Sequence, residues 1–172
     1  MTKDFPNRKR LRLQHFDYSS AGAYFITICT HNRKCILSNI VGAIHESPEP
    51  ILTEYGKILD EIINNIPNHL NCFVDEYIIM PNHIHMIIMI PASQESRAIH
   101  ESPLQSRSVI SKIVGYIKMN TTKEIHKMNQ DIIVWQRGYY DHVVRNRNDY
   151  EKILKYIYEN PLNWFYDELY SE

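Results

Sequence analysis

Apolar positions along the chain recur with two different periods, and the order in which those periods alternate predicts a fold. "AYFITIC" (23–29) alternates and is β-prone, which predicts a strand. In "ILTEYGKILDEIINNI", Tyr55, Ile58, Leu59, Ile62, Ile63 and Ile66 fall three and four apart, the spacing of one face of an amphipathic helix. "NCFVDEYIIM" and "HIHMIIMI" read as two strands joined through Pro81 and Asn82, a turn pair. A second helix follows in "SVISKIVGYIKMNTTKEI", with Ile110, Ile113, Val114 and Ile117 on one face. "IIVWQRGYYDHVV" (132–144) reads as one or two strands with a turn near Gly138, and "NDYEKILKYIYEN" (148–160) as a third helix stopped by Pro161. Strand, helix, strand, strand, helix, strand is the β-α-β-β-α-β order of a ferredoxin-like α+β sandwich, here with one more helix appended.

Two stretches fall outside this plan. Residues 40–50 and 91–107 are rich in Pro, Ser and Glu and are expected to be loop insertions in a single domain spanning 1–172. Both contain the hexapeptide "AIHESP", at 43–48 and again at 98–103. Six residues cannot form a supersecondary unit, so this is no solenoid repeat.

Composition narrows the class. With 172 residues, 44% hydrophobic and 23% charged, the chain can build one globular core. No apolar run is long enough to span a bilayer, so no membrane partner is expected. Cys29, Cys35 and Cys72 are odd in number and form no C-x-x-C, which argues against a disulfide framework or a thiolate zinc site and for a reducing cytoplasm. Net charge is −1, yet Lys3, Arg8, Lys9, Arg10 and Arg12 crowd residues 1–14 against Asp4 alone, while Glu159, Asp167, Glu168 and Glu172 crowd the other end. The basic arm is either a phosphate contact or a solvated terminus.

The chemistry concentrates in two places. His83 and His85 are two apart on a strand, so their imidazoles share a face, and their neighbours on both faces are apolar. Two buried imidazoles need partners. Hydrogen bonds at a strand end are one answer; a divalent metal is another. On the last helix, Tyr150, Ile153, Leu154, Ile157 and Tyr158 form a packing stripe, with Lys152, Lys155 and Glu159 toward solvent. Tyr156 falls off that stripe, and Asn160 lies about 40° from it, an i,i+4 polar pair able to face one site. A tyrosine attacks a phosphodiester only when the phosphate is polarised and the phenol held in line. Tyr156 is therefore either such a nucleophile or an ordinary amphipathic-helix residue.

"MPNHIHMIIMI" followed by "VWQRGYYDHVVRNRNDYEKILKYIYENPLNW" resembles the single-tyrosine HUH (His–hydrophobic–His) transposases, and among them the REP-associated tyrosine transposases. The resemblance starts at "GAYFITICTHNRKCIL" and covers nearly the whole chain. It implies a ferredoxin-like, RRM-like fold with the histidine pair on a central strand. It also implies a divalent ion, Mg²⁺ or Mn²⁺, and cleavage of single-stranded DNA through a 5′-phosphotyrosine intermediate that conserves the phosphodiester's free energy. By position, Tyr156 is the nucleophile and His83, His85 and Asn160 the metal ligands, with His142 a site neighbour. The implied substrates are repetitive extragenic palindromes folded as hairpins, met in the cytoplasm at the nucleoid. Arg8, Lys9, Arg10, Arg12, Arg33, Lys34, Arg145 and Arg147 are the candidate DNA contacts, and exposed aromatics could stack unpaired bases. Related transposases act as homodimers and some REP-associated ones as monomers; both states stay open.

Three readings compete: a metal-dependent DNA endonuclease and strand transferase, a domesticated module that binds hairpin DNA or RNA without cutting it, and a two-histidine phosphoesterase of another kind. The third needs a second H-x-[ST] or a third nearby histidine, and neither is evident. The hexapeptide repeat bears on the first. Ala-Ile-His-Glu-Ser-Pro can be encoded GCG ATT CAT GAA TCG CCC, in which GCGATTCATGAATCGC is its own reverse complement. The codon of Gly42 or Arg97 before each copy can end in GG, extending the palindrome to GGGCGATTCATGAATCGCCC. Either both loops carry translated copies of an inserted palindrome, or the match is a coincidence between unrelated loops.

Overall fold

A computed structural model describes residues 20–42, 48–92 and 108–171. The elements are β1 (Gly22–Cys29), β2 (Ser38–Val41), β3 (Glu49–Leu52), α1 (Glu54–Asn64), α2 (Ile66–His69), β4 (Phe73–Ile79), β5 (His83–Ile90), α3 (Val109–His126), β6 (Tyr140–Val144) and α4 (Arg147–Glu159). Strands β4, β5, β1 and β6 form one sheet in that order, each pair antiparallel. This is the ferredoxin-like arrangement expected from the pattern, with α4 appended. Among the described residues no helix is long and apolar enough to cross a membrane.

Pleating divides β5 and β1 between two environments. Ile84, Met86 and Ile88 of β5 and Tyr24, Ile26 and Ile28 of β1 enter one core with Leu59 and Ile63 of α1 and Ile110, Ile113 and Ile117 of α3. The alternate positions, Phe25 and Thr27 of β1 and His83, His85 and Ile87 of β5, face the opposite side. There α4 lies across the sheet, tied to β4 by a hydrogen bond from Tyr158 Oη to Glu76 Oε1 at 2.8 Å and another from Tyr150 Oη to Asp75. Tyr158, placed in the packing stripe by periodicity, is 59% exposed. Its ring runs along the protein's edge to reach a carboxylate, a use that apolar spacing cannot distinguish from burial.

Two stretches differ from the pattern reading. The ends of the 40–50 stretch pair as a ladder from Ser38↔Leu52 to Val41↔Glu49. Pro50 is tolerated because a two-stranded ribbon leaves its missing N–H unneeded on an edge. A Cβ at Gly42 would stand 2.8 Å from Pro48 Cα, so glycine is what lets the ribbon close there. Within 132–144, only Tyr140–Val144 is a strand; before it Trp135 makes a single bridge with Thr30, and Gly138 at φ +89° turns the chain between them. The basic arm with Arg8, Lys9, Arg10 and Arg12, residues 43–47 of the first hexapeptide, the whole second copy and most of the 91–107 stretch lie outside the described residues.

Candidate active site

The site forms where β5 emerges from the Pro81–Asn82 turn beneath the C-terminal half of α4. His83 and His85 are 0% and 2% exposed, with ring centroids 4.5 Å apart. Each is held through Nδ1. Asn82 Nδ2 donates to Leu169 O at 2.8 Å and to Ser171 Oγ at 3.0 Å, which fixes the amide orientation. Asn82 Oδ1 therefore accepts from His83 Nδ1–H at 2.8 Å, and His83 Nε2 is left as a lone pair without a partner among the described residues. His85 Nδ1 meets Thr27 Oγ1, its cross-strand neighbour, at 2.8 Å, and Phe25 stacks on the ring at 5.3 Å. Burial lowers the pKa of His83 to about 4 and that of His85 well below the usual imidazole range. Both rings are neutral at pH 7, the form that ligates metals.

Helix α4 delivers the phenol. Its N-terminus is capped by Asn146, whose side chain accepts from Asp149 N at 2.9 Å. Asp149 in turn accepts from Arg145 N at 3.0 Å and His142 Nε2 at 2.9 Å, and the Arg145 amide first of all holds its carboxyl below the usual range. His142 thus steadies the start of α4 from β6; it does not touch the histidine pair. Tyr156, 44% exposed, places its hydroxyl 3.3 Å from His85 Nε2. Desolvation, with the Asp167 carboxylate nearby, pushes that phenol up to about 12. Asn160 caps the helix, is 2% exposed and donates from Nδ2 to Asp167 Oδ2 at 2.9 Å, while its Oδ1 has no partner among the described residues.

Asp167 is the residue that the sequence reading missed. It follows a short 3₁₀ turn, Trp164–Tyr166, and one of its carboxylate oxygens and one nitrogen of each of His83 and His85 all lie within 4.8 Å of one another. Beyond Pro161 the helical period ends and no spacing rule aims a side chain; only the excess of acid in the tail hinted at it. Two imidazoles and a carboxylate fit a divalent cation, and His83 Nε2 is a buried lone-pair donor otherwise unsatisfied; Asn160, tied to Asp167 through Nδ2, also has an unsatisfied Oδ1.

The cleft outside Tyr156 has a volume of about 610 Å³ and is lined by Phe25, His85, Tyr140, Tyr166 and Arg33 among others. Arg33 thus reaches the site, its Nη1 donating to Glu168 O at 2.7 Å. Lys34 is exposed nearby in sequence and lines no part of it. Arg145 and Arg147 are exposed at the far end of α4, Arg147 paired with Glu151 at 2.7 Å, and the structure does not bring them to the cleft.

Comparison with known proteins gives the same direction. The family model described as "Transposase IS200 like" matches residues 19–160. An uncharacterized protein of Haemophilus influenzae is 34% identical over 96% of this chain and 94% of its own length. The REP-associated tyrosine transposase of Escherichia coli is 22% identical over 84% of this chain and 69% of its own length. Among solved structures, that of a REP-associated tyrosine transposase bound to a REP hairpin aligns with a TM-score of 0.60 at 19% identity, covering 88% of this chain and 74% of that one.

Proposed function

Because the chain belongs to the IS200-like transposase family, we propose that it nicks and rejoins single-stranded DNA at hairpins, with Tyr156 as nucleophile. The observation that carries this reading is the 3.3 Å approach of the Tyr156 hydroxyl to His85, which joins residues far apart in the chain. In the forward step the phenol oxygen bonds to phosphorus, the P–O3′ bond breaks, and the 3′ oxygen leaves and takes up a proton while the phenol loses one. The reverse step, attack by a 3′ hydroxyl on the phosphotyrosine, consumes no nucleotide cofactor because bond type is conserved.

His83, His85 and Asp167, with Asn160 Oδ1, are the residues that would hold a divalent cation, which when bound would polarise the scissile phosphate and offset its charge. The mixed nitrogen and oxygen donors suit Mn²⁺ better than Mg²⁺, which favours oxygen. The chain itself does the rest. Asn82 and Thr27 hold the ring orientations; Asn82 Oδ1 as acceptor leaves the lone pair on His83 Nε2, and with Thr27 Oγ1 accepting from Nδ1–H the lone pair of His85 would also lie on Nε2. The neutral phenol, raised to about 12, has to give up its proton as it attacks, and its partial exposure offers water as acceptor. Tyr156 and a cation would compete for the same lone pair on His85, so ligation frees the hydroxyl for a phosphate.

The solved relative holds a REP hairpin, and hairpin DNA is the substrate class we assign here. The repeated hexapeptide suggests a particular one: GGGCGATTCATGAATCGCCC folds with GGGCGATT against AATCGCCC around a CATG loop. Incubating the protein and Mn²⁺ with single-stranded DNA containing this hairpin and flanking bases on either side should yield a denaturation-resistant protein–DNA band, lost in Tyr156→Phe. Tight binding with no such band on any hairpin would assign the binding-module reading instead. Cleavage surviving the substitution would overturn the mechanism. If codons 43–48 and 98–103 of the gene are not near-palindromic, the proposed origin of the repeats falls while the site reading stands.

A further inference from the structure

We infer that a second, basic cavity beside the tyrosine cleft binds a backbone phosphate of single-stranded DNA, and that Arg137 is its principal contact. The inference rests on the DNA-processing reading above. The cavity, about 570 Å³, is lined by His31, Asn32, Arg33, Gln136 and Arg137, with no acidic side chain among them. It exists because β1 continues past its last residue into the Thr30–Trp135 bridge. There His31 N–H donates to Val134 O at 2.9 Å and Gln136 N–H to Cys29 O at 3.0 Å. The two chains then part. Asn32 and Arg33 both turn through left-handed backbone at φ +53° and +54°, and on the other side Gly138 turns at +89°. Lys118, from α3, donates to Gln136 O at 2.8 Å and to Gly138 O, bringing a further positive charge behind the wall.

The charges in this cavity differ from those on the helices. Lys57, Lys127, Arg147 and Lys155 each have a carboxylate three or four residues away. Arg137 has no ion-pair partner among the described residues, and Arg33 spends a single donor on the Glu168 carbonyl. Guanidinium forks with spare donors, beside amide side chains and with no competing acid, match a phosphodiester with an adjacent sugar or base edge. Arg33 lines both cavities. A strand whose scissile phosphate sits at Tyr156 can therefore continue past Arg33 and place another of its phosphates against Arg137. Arg33 was legible from the sequence as a DNA contact, but Arg137 was not, because it follows an isolated bridge outside any strand, where no spacing rule applies.

The test is a salt titration of binding, without divalent ion, using a fluorescently labelled hairpin with single-stranded extensions. Neutralising one phosphate contact should reduce the slope of log affinity against log salt by about 0.7 for a single strand. Arg137→Ala is expected to show that reduction and several-fold weaker binding, and Arg137→Lys to recover most of the slope. Lys57→Ala, on the opposite side of the sheet, should leave it unchanged. Because Arg137 is exposed, thermal melting of the Arg137→Ala protein should match the parent and exclude unfolding as the cause. An unchanged slope in Arg137→Ala, with the protein–DNA adduct still forming, would overturn the inference and leave the tyrosine reading intact. A reduced slope in a protein that never forms the adduct would do the opposite.

Discussion

On the side of the sheet covered by α1 and α3, β5 presents Ile84, Met86 and Ile88; on the side covered by α4 it presents His83, His85 and Ile87. Both sides are buried. The first is filled mainly by apolar side chains that ask only for volume, whereas on the second two imidazoles with directional needs sit beside Ile87, each held through Nδ1, with Nε2 left open in His83 and lent to Tyr156 in His85. Burial alone therefore says little about role. What marks the site is that open buried acceptors, His83 Nε2 and Asn160 Oδ1, occur where two imidazoles and the Asp167 carboxylate converge, whereas Thr121 Oγ1 and Trp135 Nε1, unpartnered among the described residues, belong to the apolar side.

The contrast can be broken from either side, and the largest effect is expected at the phenol. Tyr156→Phe should abolish adduct formation, read on denaturing gels, while changing the folding free energy by less than about 1 kcal/mol, since it loses one long hydrogen bond on a half-exposed residue. Met86→Ala, one position from His85 but facing the other way, should do the reverse. It should cost about 2–5 kcal/mol in urea unfolding and leave adduct yield per folded molecule near parental. An activity loss in Met86→Ala at temperatures where it stays folded would show that the two faces are not independent.

Acid should act first on the histidine face. His83 titrates near 6.5 in the unfolded chain and, because burial disfavours its charge, at about 4 in the folded one. Above 6.5 both states are neutral and the group is silent. Between 6.5 and 4 only the unfolded state takes the proton, so stability falls as pH drops through this window, by on the order of 3 kcal/mol at most. Denaturant titrations from pH 7 to pH 4 should show the fall, and His83→Gln should reduce it while leaving the share of His85, whose pKa burial also lowers. A smaller effect is expected from Thr27→Val, which removes the partner of His85 Nδ1: Mn²⁺ affinity measured by calorimetry should drop about 10- to 100-fold. Smallest of all, Tyr158→Phe cuts an exposed hydrogen bond to Glu76 and should shift stability by under about 1 kcal/mol.

How much was legible beforehand follows the same division. The helix faces around Leu59, Ile63, Ile113 and Ile117 and the alternation in β1 were readable because a buried apolar face imposes a period. His83 and His85 were readable as exceptions to such a period, and Tyr156 with Asn160 as an off-stripe pair. Asp167 was not, nor the tie of Asn82 to Leu169 and Ser171, because the chain after Pro161 follows irregular backbone whose side-chain directions are set by tertiary contacts. The β2–β3 ribbon was hidden for a related reason: Pro50, Glu49 and the hexapeptide mask two short strands that bury little. The family resemblance supplied the roles of the residues, and the geometry supplies their neighbours.

The most direct measurement of the central claim is tandem mass spectrometry of the protein after incubation with hairpin DNA and Mn²⁺, nuclease trimming and proteolysis. A nucleotide remnant is expected, joined through its 5′ phosphate to the peptide spanning 153–160, at Tyr156. A remnant on another tyrosine, or cleaved DNA with no remnant on any residue, would contradict it.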